Sequence, residues 1–142
     1  GATGYLDTNY QGKVDAALTA LETQDFVFLH VEAPDEAGHS GQMDLKIKAI
    51  EDFDEKVAGP VVQGLEKFPH WRLLLMPDHC TPISLRTHTT EPVPFILLDS
   101  ADWAQSDKNP QQQFSEQAAC GTGLNVPDGS KMIEKLLNGN VG

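Results

Sequence analysis

Positive charge is scarce in this chain: 10 lysines and arginines stand against 21 aspartates and glutamates, a formal net charge of −11. A nucleic-acid surface needs a dense basic stripe to displace counterions, and this balance excludes one. Cysteine is nearly missing as well. Cys80 and Cys120 lie far apart and match no CxxC pattern. No disulfide scaffold is expected, and reduced thiols in a cytoplasmic setting are. No apolar run approaches the length that crosses a membrane. The opening GATGYLDTNY lacks the basic-then-apolar form of a signal peptide, and it lacks an initiator methionine. The chain therefore reads as processed or cut from something longer.

What is present suits a buried core. Apolar residues make up 39% of 142 positions, enough for one domain or a large piece of one. From Gly12 to Glu22, Val14, Ala17, Leu18 and Leu21 recur at helical spacing and predict an amphipathic helix. DFVFLHVE (Asp25 to Glu32) is a nearly continuous apolar run, the pattern of a strand covered on both faces. Ile47, Ile50, Val57, Val61 and Leu65 predict a long helix, kinked or split at Gly59-Pro60. WRLLLMPD (Trp71 to Asp78) and VPFILLD (Val93 to Asp99) read as two further strands.

The rest is more polar. Ser100 to Gln113 reads as a loop and Phe114 to Ala119 as the start of a short helix. Asp128 to Leu137 reads as a terminal helix, with Asp128 as N-cap and Gly139 beyond its last turn. Helices alternating with buried strands predict an α/β fold, layered helix–sheet–helix around a largely parallel sheet. Ligands of such sheets gather outside the carboxyl ends of the strands.

Two groups fall at those ends. VEAPDEAGHSG follows the first strand, and Asp35 and His39 within it are four residues apart, so one helical turn would bring their side chains together. Asp78 and His79 follow the second strand, and His88 lies in the proline-rich RTHTTEPVP. Each group reads either as an ordinary surface turn or as part of a metal site. Imidazole and carboxylate together suit Zn²⁺ or Mn²⁺, and three ligands with an open position make a catalytic centre. His30 reads instead as a strand histidine satisfied by a backbone partner, His70 as a surface residue, and Cys80 as a small buried one. Acidity alone indicates solubility. For a phosphate substrate it also means that bound metal must supply the local positive charge.

Taken as whole motifs, GATGYLDTNY, HVEAPDEAGHSG, KIKAIEDFD and MPDHCTPISLRTHTTEPVPF resemble the archaeal-type cofactor-independent phosphoglycerate mutases, members of the alkaline phosphatase superfamily. The resemblance runs from Gly1 to about Glu116 and implies an alkaline phosphatase-like core. It also implies two divalent ions, Mn²⁺ or Zn²⁺, and a serine that takes up and returns the phosphoryl group. By motif match, Asp35, His39 and His88 resemble the ligands of one ion, and Asp78 and His79 ligands of the other. None of Ser40, Ser84, Ser100, Ser106, Ser115 and Ser130 matches the nucleophile's setting. The family's early aspartate ligand and its basic inserted substrate domain have no counterpart either.

Residues 1–142 are thus expected to be the carboxyl-terminal portion of the metal-binding catalytic domain. The parent enzyme would interconvert 3-phosphoglycerate and 2-phosphoglycerate in glycolysis and gluconeogenesis, with this portion alone inactive. Neither nucleic acid nor membrane is an expected partner, and an edge left open by truncation could serve oligomerisation. The competing readings are another phosphohydrolase or phosphomutase of the superfamily, and a non-catalytic binding domain stabilised by metal. Arg86 is read as a surface arginine.

Overall fold

The computed structural model describes residues 2–106 and 113–139. They form two compact units, one from Gly1–Lys67 with Thr81–Thr89, the other from Phe68–Cys80 with Thr90–Gly142.

The first unit is helical. α1 (Tyr10–Ala20) starts where Asn9 accepts a 2.9 Å hydrogen bond from the Gly12 amide, satisfying one of the free N–H groups of the first turn. α2 (Ala33–Ser40) is followed by α3 (Met43–Phe53), which runs through a π-helical turn (Asp54–Ala58) into α4 (Gly59–Leu65). The Gly59 amide donates to the Asp54 carbonyl across this turn. Pro60 has no N–H, and its ring would meet the Lys56 carbonyl in a regular helix; the widened turn absorbs that conflict. The expected break at Gly59-Pro60 therefore takes the form of a bulge.

The core of this unit joins Tyr10 and Val14 of α1 to Ala33 and Val57, with Leu18, Leu29, Val31, Phe53 and Val61 packed around them. Asp52 is only 3% exposed. Lys48 and Lys56, one turn before and after it, reach its carboxylate at 2.5 and 2.8 Å.

The first expected strand is corrected here. Residues 25–32 form no strand and join no ladder among the described residues. Exposure alternates from Phe26 to Glu32, the period of an extended chain. Leu29 and Val31 pack on the core, whereas Phe26 and Phe28 remain 43% and 77% exposed. Without a neighbouring strand, only one face of the apolar run is covered.

In the second unit, β1 (Arg72–Leu75) pairs with β2 (Ile96–Asp99), placing Leu73 opposite Leu98 and Leu74 opposite Leu97. The pairing is antiparallel, and it is the only sheet among the described residues. A largely parallel sheet is therefore not what these residues form. Parallel neighbours need a crossover, usually a helix, and the connection 76–95 contains none.

The expected loop from Ser100 begins instead with α5 (Ser100–Gln105), where Asp99 accepts from the Ala101 amide at 2.9 Å. Positions 107–112 of that expected loop lie outside the described residues. α6 (Glu116–Gly121) and α7 (Met132–Asn138) follow, α7 entered through a 3₁₀ turn that Asp128 caps. Gly139, at φ +71°, closes it as expected. Arg72 ties this end to the sheet, reaching Asp99 at 3.0 Å and the Leu137 carbonyl at 2.7 Å.

Candidate metal centre

The segment APDEAGHS becomes helix α2 because Pro34 sits in its first turn, where a missing N–H costs nothing, and Gly41 turns left-handed at its end. Asp35 in the first turn suits the helix dipole. The four-residue spacing of Asp35 and His39 puts them on one face, with His39 Nε2 3.2 Å from Asp35 Oδ2.

The third residue arrives from the segment Thr81–Thr89. There the Arg86 and Leu85 amides both donate to the Pro82 carbonyl, at 2.8 and 3.1 Å, closing a tight turn. Arg86 leaves it at φ 56°, and among the described residues it alone has a positive φ without being glycine. His88 then lies beside α2. Its Nε2 is 3.4 Å from Asp35 Oδ1 and 3.0 Å from His39 Nε2. Three donor groups thus stand 3.0–3.4 Å apart. Ligands on a tetrahedral Zn²⁺, bonded at 2.0–2.1 Å, stand about 3.3–3.4 Å apart.

Hydrogen bonding sharpens the point. His39 Nδ1 lies 2.9 Å from the Arg86 carbonyl, which can only accept, so Nδ1 carries the proton. In the neutral ring the lone pair is then on Nε2, which faces a carboxylate oxygen of Asp35 and the Nε2 of His88. A carboxylate and two imidazole nitrogens converge, a donor set whose chemistry fits a cation.

The helix and the segment fit closely. Thr81 is buried, and its hydroxyl donates to Asp35 Oδ1. A Cβ on Gly38 would lie 2.5 Å from the Thr81 carbonyl oxygen, so only glycine permits this approach. Lys46 donates to the Pro34 carbonyl at 2.6 Å and fixes the start of the helix. The side chains of His39 and His88 are 36% and 51% exposed. A hollow of about 590 Å³ borders His39, lined also by Tyr5, Asp7, Glu36 and Ser40.

Asp78 and His79 belong to the second unit and pair with each other. Asp78 accepts from the His79 amide at 3.0 Å, and its other oxygen lies 3.3 Å from His79 Nε2. His30 keeps out of the cluster but differs from its expected role: its exposed ring stacks on Phe28 at 6.1 Å. His70 is exposed and Cys80 half-buried. Thr81, Gly38 and the Arg86 carbonyl were not expected at the site. A glycine inside a short helix was a usable signal for close approach; the other two depend on contacts that no local pattern encodes.

Residues 1–125 match the metalloenzyme superfamily. The chain belongs to that superfamily. Membership implies divalent metal binding, in agreement with the donor set. A protein of Geobacter sulfurreducens named as a probable 2,3-bisphosphoglycerate-independent phosphoglycerate mutase is 53% identical over 97% of this chain. The 2,3-bisphosphoglycerate-independent phosphoglycerate mutase of Methanothrix thermoacetophila is 51% identical over 98% of it. The motif resemblance is thus borne out. This metalloenzyme chain spans about a third of those relatives, 34% and 35% of their lengths. The solved PH0037 protein from Pyrococcus horikoshii superposes on 97% of the chain with a TM-score of 0.81 at 29% identity, the match covering 40% of that protein.

Proposed function

We propose that this chain is a metal-holding portion of a cofactor-independent phosphoglycerate mutase, interconverting 3-phosphoglycerate and 2-phosphoglycerate through a phosphoserine in glycolysis and gluconeogenesis. Relatives 51% and 53% identical to it over nearly its whole length carry that name. The observation that carries the reading is the convergence of Asp35, His39 and His88, with His39 Nδ1 already committed to Arg86.

Asp35, His39 and His88 would hold one divalent ion, Mn²⁺ or Zn²⁺. Asp78 and His79 are assigned to a second, completed by residues of the longer protein. Bound there, the ions would neutralise charge on a phosphoryl group in transfer and favour the ionised form of a serine nucleophile. This chain's own work is positional. Thr81 orients the Asp35 carboxylate, the Arg86 carbonyl orients the His39 ring, and Gly38 lets the two segments approach. The nucleophilic serine is assigned to the longer protein, since no serine here stands in its motif. The chain alone is therefore inactive in this reading. In the longer, cytoplasmic enzyme, residues 25–32 would take their place in a layered, largely parallel sheet, which covers Phe26 and Phe28.

Calorimetric titration of the folded chain with Zn²⁺ and Mn²⁺ tests the site. One equivalent should bind, with the affinity lost in His39→Ala and kept in His30→Gln. Equal binding by His39→Ala, or a large loss in His30→Gln, would show that the ligands are misassigned.

A further inference from the structure

The left-handed backbone of Arg86 calls for a reason. A residue that closes such a turn at positive φ is ordinarily glycine, or else asparagine, because Cβ crowds the backbone there. This chain uses glycine at the equivalent position after α2 and α7. At position 86 it uses arginine at φ 56°.

Two contacts account for the choice, and both reach α2. The side chain lies across Gly41: a Cβ built on that glycine would be 2.3 Å from Arg86 Nε and 2.8 Å from Cζ. Gly41 ends α2, where the carbonyl groups of the last turn leave partial negative charge, so a guanidinium is favoured against it. The main chain makes the second contact, its carbonyl accepting from His39 Nδ1 at 2.9 Å. In its left-handed conformation Arg86 makes both contacts after the turn from Pro82.

We propose that Arg86 is the positioning residue of this centre. Its guanidinium seats the turn on the end of α2, and its carbonyl holds His39 as the Nδ1–H tautomer with Nε2 turned to Asp35 and His88. This rests on the reading of His39 as a metal ligand. A ligating histidine whose other nitrogen is held by an acceptor keeps its tautomer and ring orientation, and losing such a partner typically weakens metal affinity by about 10–100-fold. The side chain needs no contact with substrate.

Two readouts on the 142-residue chain test the proposal. The first is the His39 tautomer, read from ring ¹⁵N shifts of metal-free protein at about pH 8.5, where an ordinary imidazole is neutral. The second is Zn²⁺ affinity by calorimetry. The variants are Arg86→Asn, which tolerates the left-handed region, and Arg86→Val, which does not. The unmodified chain should show Nδ1–H. Arg86→Asn, which keeps the left-handed backbone but loses the guanidinium, should keep that tautomer and bind Zn²⁺ more weakly than the parent but more tightly than Arg86→Val. Arg86→Val should mix tautomers and bind about 10–100-fold more weakly with its helical circular dichroism intact.

An Nε2–H tautomer in the unmodified chain would overturn the proposal, even where the valine variant does not fold. So would a folded Arg86→Val that matches the parent in both readouts. A parent chain that binds no Zn²⁺ yet shows Nδ1–H, lost in Arg86→Val, would overturn the metal reading and uphold the orienting role.

Discussion

Gly38→Ala sets two effects of opposite sign against each other. In an isolated helix the change is favourable by about 1 kcal/mol, because glycine leaves more backbone freedom to lose. Here the new Cβ would stand 2.5 Å from the Thr81 carbonyl oxygen and 2.9 Å from Thr81 Cγ2. Ordinary contact begins at 3.4 Å, so α2 and the segment from Thr81 must part by nearly an ångström. Overpacking of this kind costs about 1–3 kcal/mol. The same displacement strains the bond from Thr81 to the Asp35 carboxylate, and a hydrogen bond to a charged group contributes about 1.5–3 kcal/mol. The steric side wins. We expect a net loss of about 2–4 kcal/mol, and Zn²⁺ affinity at least about tenfold lower, because the donor triangle opens. Urea unfolding read by far-UV circular dichroism is the assay, with the midpoint falling by about 1–2 M. Tryptophan fluorescence would report elsewhere, since Trp71 and Trp103 both belong to the second unit. An alanine variant as stable as the parent, with unchanged Zn²⁺ affinity, would refute the close-approach argument.

Acid stability should pass through Asp52. Hydrogen bonds from Lys48 and Lys56 hold its carboxyl below the usual range, against the opposing effect of burial. A depressed carboxyl stabilises the fold fully above the unfolded value of about 3.9 and loses that contribution as pH falls through the folded value. Stability against pH should thus be flat above about pH 5 and decline below about pH 4, and Asp52→Asn should flatten the decline; an unaltered acid limb in the variant contradicts this. In the core, Val14 is 1% exposed, so Val14→Ala should cost about 2–3 kcal/mol in urea unfolding. Phe28→Ser, at a site 77% exposed, should shift the same measurement by less than about 0.5 kcal/mol. The reverse ranking would mean that residues 25–32 are covered in solution.

Legibility in the sequence followed the range of the interaction. α1 and α7 were readable because apolar spacing and, for α7, the Asp128 cap act within a few residues. α5 was missed although its signal was equally local: Asp99 ends a strand and caps a helix with one carboxylate, and polar composition hid the second role. Residues 25–32 were read for their apolar content, which predicts two covered faces. What covers a strand's faces lies elsewhere in the chain, and so does its hydrogen-bonding partner. The site divides the same way. Asp35 and His39 could be paired in advance because one helix carries both. That His88 meets them depends on how the segment from Thr81 lies against α2, which the left-handed Arg86 and the bare backbone of Gly38 decide together.

The charge balance bears on why such a centre would sit in so acidic a chain. One carboxylate and two neutral imidazoles carry a single negative charge between them, so a divalent cation held by Asp35, His39 and His88 leaves a local charge of about +1. Asp7 and Glu36, which line the hollow beside His39, would repel an anion in the absence of that ion. A divalent ion on the three donors would take the summed charge of Asp35, Asp7 and Glu36 from −3 to −1 and so weaken the repulsion of an anion. Two of the three donors are exposed by a third or more, so a ligand from solution can reach them. In the proposed enzyme, with lysine and arginine scarce, bound metal would be a main local offset to these carboxylates.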